Sequence, residues 1–505
     1  MRDLLDLKNF QSQHQARKYV NRAIQFHHPY TFEERERIIE SVGNNVFNVP
    51  SEITMVDLLS CSGTTTPTIE QIAQMILGDE AYGTNWGYPQ LMEQFERVFG
   101  ISRDDWNIYL FHQGRTAEHA LFTEIGGGLQ RSVDAALRYL WGYIKRGGKR
   151  LKIPSNGHFD TTRANIEVND IEAIDIPVTR SIPDTEEYFF GGNIDTDALK
   201  DILSREGKNV PLVYCTITNN TIGGRAVSLK NMHKIQQLCG EYDKPFFLDA
   251  CRFAQNAYQI QKHEAEYKNK TKTEIVHETI GLCHGFTISL KKDGLGNMGG
   301  ALVVRKNSPL FKQFPEFFQH IKVHQLITEG HRSYGGTSGR DIMVNVEGLK
   351  TCLSDESLES QIGQVQRFGE YCKSRGLPVE EPYGSHALYF RMKEYRDGTN
   401  LKQEDFVGIS VAAKLIRLGP RLCELGAFAF GKYDPKTGKE TFPPFDLLRA
   451  AIPRNKYEIE DLYFVADCLK YLFDNRDKLP KAVCTHGKDL ALRHFDARFE
   501  LQTIK

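Results

Sequence analysis

The chain is expected to be an α/β protein, with a mostly parallel sheet covered by helices in a large domain and a smaller α+β domain after it. Three observations predict this. Strand-like and helix-like segments alternate from Val56 to about residue 330, the pattern that parallel crossovers require. Several apolar runs end in polar residues followed by glycines, which is where such sheets place their ligands. After about residue 335 the pattern changes to helices and short strands. These features divide the chain into an arm over residues 1–55 that joins the small domain, a large domain over 56–334 and a small domain over 335–505.

Taken in order, the first fifty residues are polar and helix-compatible, and Thr31 offers a cap before the acid-rich turn of Phe32-Glu-Glu-Arg. Tyr109-Leu-Phe111 is a short strand running into Gln113-Gly114-Arg115 and then into a helix. The three glycines at 126–128 and a basic stretch to Arg150 bracket a helical pattern over Val133–Ile144, and no phosphate-binding glycine signature follows a strand there. Val210–Thr218 is a strand, Lys230–Tyr242 a helix and Phe246–Leu248 a strand ending at Asp249. Gly285–Leu290 and Gly299–Arg305 are buried strands flanking a glycine turn that carries Lys291 and Lys292. Beyond 335, a strand is expected near Tyr389–Arg391, a helix over Glu458–Phe473 and a last strand or tail.

With 505 residues and 40% apolar content, the chain can bury a large core. Sixty-four basic against sixty-five acidic residues give a net charge of -1 without a basic stripe, which argues against nucleic-acid or membrane-surface partners. Ten scattered cysteines form no Cys-x-x-Cys pair, the start of the chain has no leader pattern, and no apolar run of about 18 residues occurs. The expectation is a cytoplasmic protein. His277 and His284 are not spaced as helical metal ligands.

The chemistry is carried by three stretches. A lysine at a strand end, walled by apolar groups, is expected to lose solvation and have its pKa lowered, so that its amine can form a Schiff base. Asp249 ends a strand upstream of it, with Arg252 three residues on, and Gln113-Gly114-Arg115 opens a helix as an anion site. A lysine for the Schiff base, a carboxylate for a pyridine nitrogen and donors for a phosphate together suggest pyridoxal phosphate. Spacing alone does not choose between Lys291 and Lys292.

These stretches, with Leu58–Thr64, Gly78–Tyr82, Phe159–Thr162, Thr216–Asn220, Leu448–Arg454 and Leu492–Phe495 in the same order, make the chain resemble the tryptophanase and tyrosine phenol-lyase family of pyridoxal-phosphate β-eliminating lyases. The resemblance implies a fold of the aspartate-aminotransferase type (pyridoxal-phosphate fold type I), with a seven-stranded sheet. It implies Lys292 as the Schiff-base lysine with Lys291 as polar support, Asp249 at the pyridine nitrogen and Arg252 at the phenolic oxygen. Phe159 would stack on the ring. Gln113, Gly114, Arg115 and Ser289 would hold the phosphate, with Glu118 behind them. Arg449 would clamp the substrate carboxylate, a natural task for a guanidinium, helped by Ser60 and Asn220, with Phe47 in the substrate pocket. Tyr82 would reach a neighbouring subunit's site for proton transfer. Gly63, Glu80 and Asn297 would give oxygens to a potassium ion at an interface of a homotetramer.

Within that family Leu425 stands where phenol-lyases place an arginine, and Asp160 and His494 match the tryptophanase pattern. The expected activity is therefore β-elimination of an aromatic amino acid, most of all tryptophan. Tyrosine, another β-substituted amino acid, amino transfer and a non-enzymatic scaffold are the alternatives. Cys61 replaces the acid of the usual Asp-Ser-Gly-Thr, and Asn85-Trp86 replace Ser-Arg.

Overall fold

The computed structural model describes residues 20, 23–127, 142–144, 147–178 and 186–503. The helical pattern expected over Val133–Ile144 falls largely outside the described residues, as does most of the arm before Ala23.

The described strands, in chain order, are β1 Val56–Asp57, β2 Trp106–Phe111, β3 Lys152–Ser155, β4 Glu172–Asp175, β5 Val213–Thr216, β6 Phe246–Asp249, β7 Gly285–Ser289 and β8 Gly300–Arg305 in the first part. Those of the second part are β9 Ala387–Arg391, β10 Pro420–Arg421, β11 Cys423–Glu424, β12 Lys432–Asp434, β13 Lys439–Thr441, β14 Leu447–Ala451, β15 Lys481–His486 and β16 Arg498–Gln502. A five-stranded ladder runs β2-β8-β7-β6-β5, with β5, β6 and β7 parallel and β8 antiparallel to both neighbours. β3 and β4 form a parallel pair beside it. The side chain of Asn156, just past β3, accepts from Thr216 N–H at 2.8 Å and donates to Thr216 C=O at 2.9 Å, so one amide ties the pair to the end of β5. Seven strands thus make up the layer. β5, β6 and β7 are buried at every position, as strands covered on both faces must be.

Register brings the working ends of these strands to one edge. Thr216 lies opposite Asp249, Asp249 opposite Thr287, and Ser289 and Phe111 both opposite Gly300. The helices expected from the sequence are present with side-chain caps: Phe32–Ser41 with a capping box from Thr31 and Glu34, and Leu229–Glu241 capped by Ser228. The final long helix, Ile459–Asp474, starts at Glu458.

Two main hydrophobic cores lie under this chain. The first spans residues from Leu91 to Ile362, and the second joins Ile39–Leu58 to Val365–Leu479. The crossing occurs inside one helix, Asp355–Ser374: Leu358 and Ile362 face the first core, Val365, Phe368 and Cys372 the second. The helix Gly339–Thr351 buries Ile342, Val346 and Leu349 in the first core, beyond the boundary at 334 expected from composition. Its apolar face matches the helices Ile69–Leu77 and Gly87–Phe99, against which it packs.

The arm is fastened to the second core by charge as well as by apolar packing. Arg417 on the helix Val407–Leu418 meets Glu36 at 2.9 Å and Glu40 at 3.1 Å. Asn45 donates to the carbonyls of His494 and Ala497, holding the tail segment over the arm.

Candidate active site

A cavity of about 210 Å³ opens where the strand ends of the first core face β11 and β14 of the second. Its walls bring together Phe47, Ser60, Gln113, Gly114, Arg115, Glu118, Phe159, Asp160, Asn220, Asp249, Arg252, Ser289, Lys291, Lys292, Leu425, Arg449 and His494. Most of the candidates therefore converge, from segments spread across the whole sequence.

One end is built for an anion. The helix Gly114–Ile125 begins there, and Gln113 caps it without a side-chain bond, so its first amides are presented to the cavity. Gly114 owes its place to Ser289: a Cβ at 114 would stand 2.8 Å from Ser289 Cβ and 3.1 Å from its amide nitrogen. Gly114→Ala must then push the helix start away from the end of β7, an overpacking cost of about 1–3 kcal/mol. Affinity for a phosphate-bearing ligand is expected to fall roughly tenfold in that variant, as read by titration with pyridoxal phosphate, while the far-ultraviolet dichroism is kept.

The other end is acidic. Asp249 closes β6 and accepts the amide of Cys251 at 3.1 Å. Glu118, buried one helical turn behind the anion end, accepts the hydroxyl of Thr162 at 2.7 Å. Burial, then the charge of Asp249, pushes the Glu118 carboxyl well above the usual range. Lys292 lies among these groups. Burial lowers its ammonium, but Cys251 and Asp249 outweigh burial and leave the pKa raised. The expectation of a depressed lysine is corrected here, because Cys251 and Asp249 share the cavity floor with it. Lys291 is the depressed one, lowered by burial and by the charges of Arg115 and Lys292.

Arg252, at the start of the helix Phe253–His263, is buried, with Nη2 3.4 Å from Cys61 Sγ and Nη1 without a protein partner among the described residues. An orphaned guanidinium nitrogen beside the lysine is the observation that best fits a bound phenolate-type oxygen. The residues present therefore fit pyridoxal phosphate: anion cradle, lysine, acidic floor and one unpaired buried donor.

The two arginines that the sequence could not separate are separated here. Arg454 is ion-paired with the buried Asp293. Among the described residues Arg449 on β14 meets neutral acceptors, Leu59 C=O at 2.9 Å and Asn220 Oδ1 at 3.5 Å, with the Cys423 thiol beside it, and its Nε is unpartnered. Asn220 Oδ1 also accepts the Tyr389 hydroxyl at 2.7 Å and faces His386 Nε2 at 2.9 Å, so its NH₂ is the group left to offer the cavity.

The aromatic end joins distant segments. His494 Nε2 lies 2.9 Å from Asp160 Oδ2, both buried, a charge contact rather than an aligned hydrogen bond, since neither imidazole nitrogen has a hydrogen-bond partner among the described residues. Burial alone would raise Asp160, but His494, the Thr161 amide and Arg115 hold its carboxyl below the usual range. Phe47 packs edge-on against His494 and Phe495, with centroids 5.5 and 4.8 Å away. Leu425 and Cys423 complete the wall. Cys251, Thr162, Tyr389, His386 and Phe495 were not singled out from the sequence. Phe495, Thr162 and Cys251 carry a usable signal, their places in the stretches of His494, Phe159 and Asp249.

Four candidates lie outside this cavity. Tyr82 is 78% exposed, against Tyr334 and His331. Gly63, in the left-handed region at φ +74°, accepts the Asn297 amide at 3.1 Å and donates its own N–H to Lys291 C=O at 2.8 Å. Glu80 is engaged by Arg340 at 2.7 Å.

The beta-eliminating lyase family model matches residues 57–468. The tryptophanase of Salinibacter ruber is 35% identical over 466 residues, 92% of this chain and 91% of that protein. The tyrosine phenol-lyase of Pasteurella multocida is 31% identical over 472 residues, covering 93% and 95%. A solved serine palmitoyltransferase from S. paucimobilis, with bound PLP-myriocin aldimine, aligns at TM-score 0.56 and 10% identity over 88% of this chain and 96% of that one, a likeness of fold.

Proposed function

Because the chain belongs to the β-eliminating lyase family, we propose that it is a pyridoxal-phosphate-dependent lyase that cleaves L-tryptophan to indole, pyruvate and ammonia. The observation that carries the choice of substrate is the buried Asp160–His494 pair facing Leu425 across the aromatic end of the cavity. Asp160 can accept an indole N–H, the pair can hold a proton close to the leaving ring, and Leu425 offers apolar contact where a phenol oxygen would need a cation.

When bound, pyridoxal phosphate supplies the electron sink that makes loss of an α-proton feasible. The chain's own groups do the rest. Arg449, backed by Ser60 and the Asn220 amide, fixes the substrate carboxylate and so aims the α-proton at Lys292, the base. Asp249 would keep the pyridine nitrogen protonated, Phe159 would cover the ring, and Gln113, Gly114, Arg115 and Ser289 would hold the phosphate, with Lys291 as polar support nearby. Phe47 closes the aromatic end.

Tyr82, exposed on its own chain, would serve the site of a neighbouring subunit in a homotetramer. Gly63, Glu80 and Asn297 would supply oxygens to a potassium ion there. Ten unpaired cysteines fit a reducing cytoplasm, and no described helix is long and apolar enough to cross a membrane.

Incubation with pyridoxal phosphate and potassium, and with tryptophan or tyrosine separately, tests the reading. Indole and pyruvate from tryptophan alone are expected. Phenol from tyrosine at a comparable rate would sink the assignment of Asp160, Leu425 and His494. Dependence of amino-group release on an added keto acid would point to transfer instead.

A further inference from the structure

Cys61 is 1% exposed and sits beneath the cavity, packed against Ala387, Tyr389, Leu447 and Ala451. Arg252 Nη2 donates to its sulfur at 3.4 Å, the one hydrogen bond that this guanidinium makes to a side chain among the described residues. Among the described residues Arg449 has neutral acceptors, and Arg454 spends its charge on Asp293. Asp293 and the Tyr389 hydroxyl also act on Arg252 after Cys61, but the Asp293 carboxylate is ion-paired with Arg454, so the buried guanidiniums outnumber the carboxylates here, which is costly. Burial raises Cys61, but Arg252, Arg454 and Arg449 outweigh it and lower the thiol. The other nine cysteines are pushed the opposite way, each by burial first.

We propose that Cys61 is an anionic positioning residue, a thiolate that holds the Arg252 guanidinium at the cavity floor and offsets its charge. The role of that charge toward a cofactor rests on the functional reading above; the thiolate itself does not. Without the sulfur's charge, Arg252 would turn toward other acceptors, and the positive potential at Lys292 would rise. A positive potential disfavours a protonated nitrogen, so the midpoint of any protonation at Lys292 or at a group bonded to it moves down.

Two measurements test this. In protein free of pyridoxal phosphate at neutral pH, the ultraviolet thiolate absorbance of wild type minus Cys61→Ser is expected to equal about one thiolate per chain. No difference would overturn the proposal. In loaded protein, the pH midpoint of the visible cofactor absorbance is expected to fall by about one unit in Cys61→Ser and to return in Cys61→Asp, which restores charge without sulfur. An unmoved midpoint in Cys61→Ser, or an equal fall in Cys61→Asp, would also overturn it. Should Cys61→Ser not fold, wild type and Cys61→Asp are compared: matching midpoints support the proposal, and a lower midpoint in the variant refutes it. If wild type takes up no pyridoxal phosphate, the functional reading fails, and the thiolate difference still decides the question.

Discussion

Lys292→Ala is expected to reduce turnover by about a thousandfold or more and to abolish the visible absorbance of lysine-bound pyridoxal phosphate, while Lys291→Ala keeps that absorbance. The argument is positional. Lys292 shares the floor with Asp249 and Glu118, whereas Lys291 lies toward the Gly63 turn, where its Cε would stand 2.7 Å from a Cβ built at Gly63. On the proposed function, loss of Lys292 would remove both the point of attachment and the base for the α-proton. Loss of Lys291 removes a positive charge near Arg115 and a stem packed on a turn. The two variants are compared by absorbance after loading and by single-turnover rates. Retention of the lysine-bound spectrum in Lys292→Ala, with its loss in Lys291→Ala, would reverse the assignment.

Arg449→Ala is expected to lower kcat/KM for the amino acid by roughly a hundred- to a thousandfold while pyridoxal phosphate still binds. Removing one member of a buried, hydrogen-bonded charge pair costs about 2–5 kcal/mol, and Arg449 has no carboxylate of its own to compensate the change. Most of the loss should appear in KM if the carboxylate contact is uniform along the reaction, and in kcat if misplacement of the α-proton dominates. Arg454→Ala behaves differently. It strands the buried Asp293, whose other bond is to the Gln255 amide at 2.9 Å, and should cost about 3–5 kcal/mol of stability. Chemical denaturation separates the two: a large fall in midpoint for Arg454→Ala and a small one for Arg449→Ala. Equal destabilisation with unchanged kinetics in Arg449→Ala would remove it from the site.

Much of the site was legible because its residues sit at strand ends, where local pattern is strongest. Asp249, Ser289 and Gln113-Gly114-Arg115 each follow an apolar run, and the register of β2, β8, β7 and β6 delivers them to one edge. Long-range pairs were less legible. Nothing in the neighbourhood of Asp160 announces His494, and Phe47 enters the wall only because Asn45 pins the tail to the arm. The protonation of Lys292 was misread from sequence, since it depends on Asp249 and Cys251, which approach it only in three dimensions. The extent of the first core was also hidden. Gly339–Thr351 is amphipathic, and its sequence does not say which core its apolar stripe meets.

The division of the cavity between two cores bears on how such a protein can change over time. The groups proposed to hold the cofactor come chiefly from segments of the first core, whereas Phe47, Leu425, Arg449 and His494 come from the segments around the second. Preference for a leaving group can therefore drift by replacements in one half while the bond-breaking apparatus is inherited intact. Asp160 and His494 are an exception, because their contact, like that of Arg449 with Asn220, spans both halves. Any lineage that abandons one of them inherits a buried, unmatched partner, so the two positions are constrained to be lost or exchanged together.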